Sequence, residues 1–194
     1  MTDRVGEVPG DGLRFSSIQV IAAAVGIVIV AFIVLLASGD VVSNDPQTGI
    51  VGENVSQFAA TSYDGQSFDM DSVLAQNRVL PADEQVWTVV NFFASWCTPW
   101  IEENPELIRF DTEGAACPTR LVGVTMTDTA ENVADFFDRY GGGWPVLVGD
   151  TAGIIVDFSV LAPPETVIVA PSGVITQKFI GAVDYDALVG AIQC

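Results

Sequence analysis

A seven-residue run at 87–93, WTVVNFF, constrains the fold more than any other part of this sequence. Its β-branched and aromatic residues are nearly continuous, so both faces of the segment are apolar, which is typical of a strand buried on both sides. Such a strand needs a packed layer above it and another below it. The run therefore predicts a layered α/β domain with this strand near the centre of its sheet.

The flanking segments predict the other strands and helices of this domain. Strand-helix-strand order implies a parallel central pair with a right-handed crossover, and hairpin signals add antiparallel strands. The expected architecture is a central mixed sheet flanked by helices. The predicted elements are strands at 120–127, 166–170 and 174–180, hairpin turns at 64–65 and 171–173, helices at 100–113, 130–140 and 184–192, short elements at 146–148 and 154–158, and one irregular helical turn or a loop at 70–80.

An uncharged apolar run at 18–37 predicts a transmembrane helix ahead of this domain. About 20 residues at 1.5 Å each are enough to cross a hydrocarbon core of about 30 Å. A cleaved signal peptide is the alternative, but its apolar stretch is shorter, about 7 to 15 residues. Arg4 and Arg14 precede the run, which predicts a cytoplasmic amino terminus and an extracytoplasmic domain on a single-pass cell-membrane protein. The predicted segments are a leader at 1–17, the anchor at 18–37, a linker at 38–49 and the domain at 50–194.

Composition excludes several kinds of chemistry. The chain has no histidine and a formal net charge of -18. The missing imidazole removes Ser-His and Cys-His nucleophile pairs and histidine-containing metal sites, and we expect neither a metal nor a cofactor. The acidic balance makes nucleic acid an improbable partner, because little positive charge is present to neutralise phosphates. Any chemistry must come from cysteine, carboxylates or the backbone.

Cys97 is the best candidate for a reactive side chain. It lies where the buried strand ends and the next predicted helix begins, a position at which unpaired N–H groups and the helix dipole favour a thiolate. A thiolate there can attack a disulfide of another protein. The other interpretation is a small buried apolar residue, since free cysteines are often buried. The Trp-Cys-x-Pro setting favours the reactive interpretation.

The segment VVNFFASWCTPWIEENPEL at 89–107 resembles the strand, WCxxC loop and kinked helix of the TlpA/ResA/CcmG (DsbE)-type thiol-disulfide oxidoreductases. The resemblance covers about residues 50–192 and implies a thioredoxin fold with an active-site motif at Trp96, Cys97, Thr98, Pro99 and Trp100. Three further segments agree with it, VGENVSQF at 51–58, WPVLVGD at 144–150 and PETVIVAPSGVI at 164–175.

The sequence departs from this family at position 100, where Trp100 replaces the second motif cysteine. In a dithiol enzyme that second thiol resolves the mixed disulfide, so Cys97 alone can form only intermolecular bonds and needs an external thiol. Trp96 and Trp100 either form an apolar contact surface beside Cys97 or cover the core. Both interpretations stay open at this point.

The resemblance also assigns a cis-proline loop. Pro164 aligns with the family's cis-proline, which lies against the reactive cysteine, and the residue before it is Pro163, which lacks an N–H for a bound peptide. Glu165 follows as in the CcmG pattern and either tunes Cys97 or is an exposed loop carboxylate. The carboxylates of the motif helix, Glu102, Glu103 and Glu106, are expected to form a solvated face.

A structural disulfide between Cys117 and Cys194 is implied by the resemblance. A predicted helix of about 15 residues, or roughly 22 Å, separates Cys97 from Cys117, which is too far for a bond. In the fold that the sequence resembles, the final helix descends beside the motif helix, which brings Cys194 toward Cys117. Two incidental free thiols are the alternative.

These observations lead to two functional hypotheses. The first is a membrane-anchored extracytoplasmic protein that acts on protein thiols or disulfides through Cys97, with a role in cytochrome c maturation implied by the resemblance. Its partners are an extracytoplasmic protein with reactive cysteines or a membrane redox donor. The second is a catalytically degenerate binding module that recognises a polypeptide without redox turnover.

Overall fold

A computed structural model describes residues 49–193. The predicted leader and anchor, most of the linker and Cys194 lie outside the described residues. Within 49–193, no helix is both long enough and apolar enough to cross a membrane. The elements are β1 (Ala59–Thr61), β2 (Ser67–Asp69), α1 (Met70–Asn77), β3 (Trp87–Phe93), α2 (Thr98–Glu113), β4 (Thr119–Thr125), α3 (Ala130–Tyr140), β5 (Val146–Leu147), α4 (Ala152–Asp157), β6 (Glu165–Val169), β7 (Ile175–Ile180) and α5 (Tyr185–Ala191).

The main sheet has the strand order β5-β4-β3-β6-β7, which puts β3 in its centre. β3 pairs in parallel with β4, which pairs in parallel with β5, and β6 runs antiparallel to both β3 and β7. The predicted mixed sheet and its central strand are therefore confirmed, with β3 beginning and ending at the predicted residues. β1 and β2 form a separate hairpin, whose turn contains Gly65 at a φ of 86°.

Alternate residues of β3 enter two different hydrophobic cores. Val89 and Phe93 pack in a core covered by α2, α3 and α5, while Val90 and Phe92 pack in a core covered by α1 and α4. This alternation follows from the two-residue period of a strand, and it explains why the run is apolar on both faces. The site described below lies at the end of β3, on the face covered by α2.

One segment is more regular than the sequence pattern predicts. Residues 70–77 form the regular α-helix α1, where one irregular helical turn or a loop is expected. The Asp69 side chain caps its start by accepting hydrogen bonds from the Asp71 N–H and the Ser72 hydroxyl. The motif helix α2 continues through Pro105 as far as Glu113. It contacts α5, which covers the same face of the sheet.

Candidate functional site: a single thiol at the start of a helix

Cys97 is the N-cap residue of α2, with an extended backbone (φ -82°, ψ 112°). Its carbonyl accepts the first helical hydrogen bond from the Ile101 N–H at 3.1 Å, and its own N–H donates to the Ala94 carbonyl at 2.9 Å. The turn is held from outside by Asp128, whose Oδ2 accepts from the Ser95 N–H at 2.7 Å. No side chain caps the first turn of α2, so its N–H groups remain directed toward the cysteine.

The Cys97 thiol is free and nearly covered, since 8% of the residue is exposed. Its Sγ donates to the Pro163 carbonyl oxygen at 3.5 Å. The peptide bond between Pro163 and Pro164 is cis, as the resemblance implies. Of the neighbouring motif residues, Trp96 is 63% exposed, and Thr98 and Pro99 are also exposed. The covered thiol therefore faces the proline loop, and its neighbours in the motif are exposed.

Trp100 is part of the core. It is fully buried, its ring stacks on Phe93 at a centroid distance of 3.8 Å, and Phe136 packs on it at 4.2 Å. Its Nε1 donates to the Asn91 Oδ1 at 3.0 Å. Of the two interpretations that the sequence left open, core packing applies to Trp100, and an exposed apolar surface applies only to Trp96.

A buried polar network lies beneath Trp100. Asn91 donates through Nδ2 to the Thr166 hydroxyl at 2.9 Å and to the Glu103 Oε2 at 3.4 Å. The other oxygen of Glu103 accepts from the Val183 N–H at 3.1 Å. Burial raises the pKa of Glu103 to about 7, and these hydrogen bonds offset part of that effect.

The prediction that the motif-helix carboxylates form one solvated face is therefore wrong for Glu103. Only Glu102 is exposed, and Glu106 is half-buried and accepts from the Tyr185 N–H at 3.1 Å. Both Glu103 and Glu106 point toward the segment at 183–185 that leads into α5. Helical periodicity places Glu103 on the same face of α2 as the buried Trp100 and Leu107, and the charge of its side chain hid this position from the sequence analysis.

Glu165 is also buried, which corrects the interpretation as an exposed loop carboxylate. Its Oε2 lies 2.8 Å from the Lys178 Nζ, and its Oε1 accepts from the N–H groups of Leu161 at 2.9 Å and Ala162 at 3.2 Å. The residue is directed into the loop that precedes the prolines, and no hydrogen bond joins it to Cys97 among those of the described residues.

Cys117 is disulfide-bonded. Its predicted partner, Cys194, lies outside the described residues, so the pairing between these two residues stays a prediction. The bond leaves Cys97 as the free thiol of the described part of the chain. Residues 49–193 also contain no cluster of three or more His, Cys, Asp or Glu side chains that could hold a metal ion.

Three residues of the site were not found from the sequence. Asp128 holds the turn before Cys97, Thr166 completes the buried network, and Lys178 pairs with Glu165. Lys178 had a usable signal in the sequence. It is the only lysine of the chain, and the other residues of its strand, ITQKFI, are uncharged. Asp128 and Thr166 had none, since both look like ordinary residues at a helix start and in a strand.

Comparison with known proteins supports the family resemblance that the sequence motifs indicate. Residues 51–178 match the model of the AhpC/TSA family. The chain is 32% identical over 131 residues to the thiol:disulfide interchange protein DsbE of Allochromatium vinosum, covering 65% of this chain and 70% of the relative. It is 28% identical over 172 residues to a DsbE homologue of Paracoccus denitrificans, covering 87% of each chain.

The fold is also shared with solved structures. The thioredoxin domain of a thiol-disulfide oxidoreductase from Bacteroides vulgatus matches with a TM-score of 0.60 at 16% identity, covering 74% of this chain and 98% of that one. A thioredoxin-family thiol:disulfide interchange protein from Chlorobium tepidum matches with a TM-score of 0.58 at 21% identity, covering 71% and 92%. The predicted thioredoxin fold is thereby confirmed. This chain belongs to the AhpC/TSA family, within its TlpA/ResA/DsbE-type group of thioredoxin-like proteins.

Proposed function

We propose that this chain is a membrane-anchored, extracytoplasmic thiol-disulfide exchange protein that acts on partner proteins through Cys97 alone. One observation carries the proposal: Cys97 is a free thiol at the uncapped start of α2, while the position of a second motif thiol is filled by the buried Trp100. The names of its relatives, thiol:disulfide interchange proteins, support the same chemistry.

The exchange can proceed in three steps. In the first, the Cys97 sulfur attacks one sulfur of a partner disulfide, a new bond forms between these two sulfurs, and the other partner sulfur leaves as a thiolate. In the second, an external thiol attacks the Cys97 sulfur and releases the partner's remaining thiol. In the third, a second external thiol attacks the sulfur of the first, a bond forms between these two external sulfurs, and Cys97 leaves as a thiolate. The partner disulfide is reduced to two thiols, and two external thiols are oxidised to one disulfide.

The experiment uses the full chain and an aromatic disulfide reagent that releases a coloured thiolate. The expected result is one thiolate released per chain and one mixed disulfide, located on Cys97 by peptide mass spectrometry. Cys97→Ser is the control and should release none from this site. Equal release from both proteins, or no adduct on Cys97, would show that Cys97 does not exchange.

Binding without redox turnover is the second candidate function. It is favoured by the accessibility at the site, since Trp96 is 63% exposed whereas Cys97 is 8% exposed. An indole beside a covered thiol is suited to contact with an apolar polypeptide segment. If the wild-type chain forms no adduct on Cys97, binding becomes the better-supported function.

The membrane anchor, the extracytoplasmic side and a role in cytochrome c maturation belong to the same proposal. They rest on the apolar run at 18–37, on Arg4 and Arg14 before it, and on the family resemblance. The full chain should stay with membranes during an alkaline carbonate wash. In spheroplasts, from which any outer barrier has been removed, a protease added from outside should digest the domain at 50–194. Release by carbonate would contradict the anchor, and protection from protease would contradict the orientation.

A further inference from the structure

The loop at 158–164 carries the carbonyl that contacts Cys97. Its backbone groups require hydrogen-bond partners from outside regular secondary structure. Pro163 and Pro164 have no N–H, and Ser159 adopts a positive φ of 50°, a region that non-glycine residues seldom occupy. Backbone groups that are buried without a partner are costly. The loop must therefore be held by groups from outside it.

Lys178 binds two backbone carbonyls of the loop. Its side chain on β7 is fully buried, and its Nζ donates to the carbonyls of Phe158 at 3.0 Å and Ser159 at 2.8 Å. The third interaction of Nζ is the ion pair with Glu165 at 2.8 Å. A buried ammonium group is tolerated only when it is paired and hydrogen-bonded in this way.

Glu165 binds two backbone N–H groups of the same loop. Its Oε1 accepts from the N–H groups of Leu161 and Ala162, the residues immediately before Pro163. The Lys178–Glu165 pair therefore binds four backbone groups of one loop. Beyond the prolines, the Pro164 carbonyl accepts from the Gly181 N–H at 2.9 Å, so the far end of the loop is tied to the end of β7 as well.

The pair and the thiol lie on different faces of the sheet. Lys178 is the register partner of Val167, which belongs to the core under α1 and α4, whereas Cys97 belongs to the core under α2. The Pro163 carbonyl is the point where the clamped loop meets Cys97. Among the described residues, the hydrogen bonds that connect Lys178 to the thiol run through this loop.

We propose that Lys178 is a positioning residue: with Glu165 it holds the loop at 158–164 so that the Pro163 carbonyl covers the Cys97 thiol and restrains its reactivity. The inference rests on the proposed function of Cys97 as a nucleophile. It assigns Glu165 to holding the loop, and not to proton transfer at the thiol.

The test measures the rate at which Cys97 of the full chain is alkylated by iodoacetamide across pH, followed on the Cys97 peptide by mass spectrometry. In Lys178→Met the Pro163 carbonyl is no longer held against the Cys97 thiol. We expect alkylation at pH 7 to be faster by roughly three- to tenfold, the factor that one lost hydrogen bond corresponds to, and the pH–rate profile to move toward lower pH. Arg109→Met is the matched control, because it removes one cation from an exposed ion pair with Glu113 on α2.

A second variant covers the case in which Lys178→Met does not fold. In the double variant Glu165→Gln with Lys178→Gln, neutral amides can replace part of the ion-paired hydrogen bonding, so we expect a rate between those of wild type and Lys178→Met. Where the single variant is unfolded, the double variant must still react faster than wild type.

The inference is overturned if the folded Lys178 variants react at the wild-type rate with an unshifted profile, or if Arg109→Met reacts equally fast. Alkylation needs no partner and no disulfide. A wild-type chain that forms no mixed disulfide, but whose Lys178 variants are alkylated faster, would contradict the proposed function and leave the positioning role supported.

Discussion

At the scale of single residues, Trp100 decides what Cys97 can do. Its indole fills the space between Phe93 and Phe136 and is hydrogen-bonded to Asn91. A thiol at this position would stand one helical turn after Cys97, on the side from which a resolving cysteine acts. The large ring instead contributes to the core, and the chain retains a single sulfur at the site.

Trp100→Cys should restore dithiol turnover while it destabilises the fold. Truncation of a fully buried Trp leaves a cavity, and we expect the free energy of unfolding to fall by about 3 to 5 kcal/mol. Trp100→Ser is the matched control, since it leaves a similar cavity without a sulfur. Disulfide reductase assays should show turnover in the cysteine variant and none in the serine variant. Equal activity in the two would mean that position 100 does not face Cys97.

Glu103 should make stability fall as pH rises toward neutrality. Its pKa is raised to about 7 in the fold against 4.5 for the exposed group, so between these values the unfolded chain has lost a proton that the folded chain keeps. The fold therefore becomes less stable through this window, by about 3 kcal/mol once pH exceeds 7. In Glu103→Gln this contribution is absent.

Urea unfolding of wild type and Glu103→Gln at pH 5 and at pH 8 tests this expected fall in stability with rising pH. The difference between the two proteins should shift in favour of the glutamine variant at the higher pH. Glu102→Gln, at the exposed neighbouring position, is the control and should change little between the two pH values. A constant difference between wild type and Glu103→Gln would show that Glu103 is ionised in the fold at pH 5.

At the scale of secondary-structure elements, the contact between β4 and β3 sets the position of the Phe93 ring. Gly123 in the middle of β4 has the Phe93 ring and Val146 against its Cα, and an added Cβ would lie 2.7 Å from Cε1 of Phe93 and 2.9 Å from Cγ2 of Val146. Phe93 is the ring on which Trp100 stacks. The absence of a side chain at one strand position therefore supports the packing of the motif helix.

Gly123→Ala should displace the Phe93 ring and loosen the stack with Trp100. We expect a loss of about 1 to 3 kcal/mol in the free energy of unfolding, the usual range for overpacking a core, and a change in near-UV circular dichroism from the indole. Gly153→Ala is the control, because an added Cβ there meets nothing within 4 Å. A Gly123→Ala protein with wild-type stability and an unchanged spectrum would contradict this role.

At the scale of the whole molecule, the disulfide of Cys117 ties the foot of β4 to another part of the chain. We expect Cys117→Ser to lower the free energy of unfolding by about 2 to 4 kcal/mol, the usual effect of losing a native disulfide. Peptide mapping without reduction should recover Cys117 linked to Cys194. A peptide that links Cys97 to either of the other two cysteines would contradict both the pairing and the single-thiol mechanism.

The sequence alone determined the layered α/β fold, the central strand β3, the helix boundaries of α3 and the candidate thiol Cys97. These follow from local periodicity, from turn residues and from a motif contained in one short segment. Tertiary structure decided which carboxylates are buried and what Trp100 packs against. Glu103 and Glu165 became interior groups because α5 and Lys178, distant along the chain, approach them in space. Periodicity within one element can place a side chain on the covered face, but the groups that satisfy a buried carboxylate there come from distant segments, which only the tertiary structure brings together.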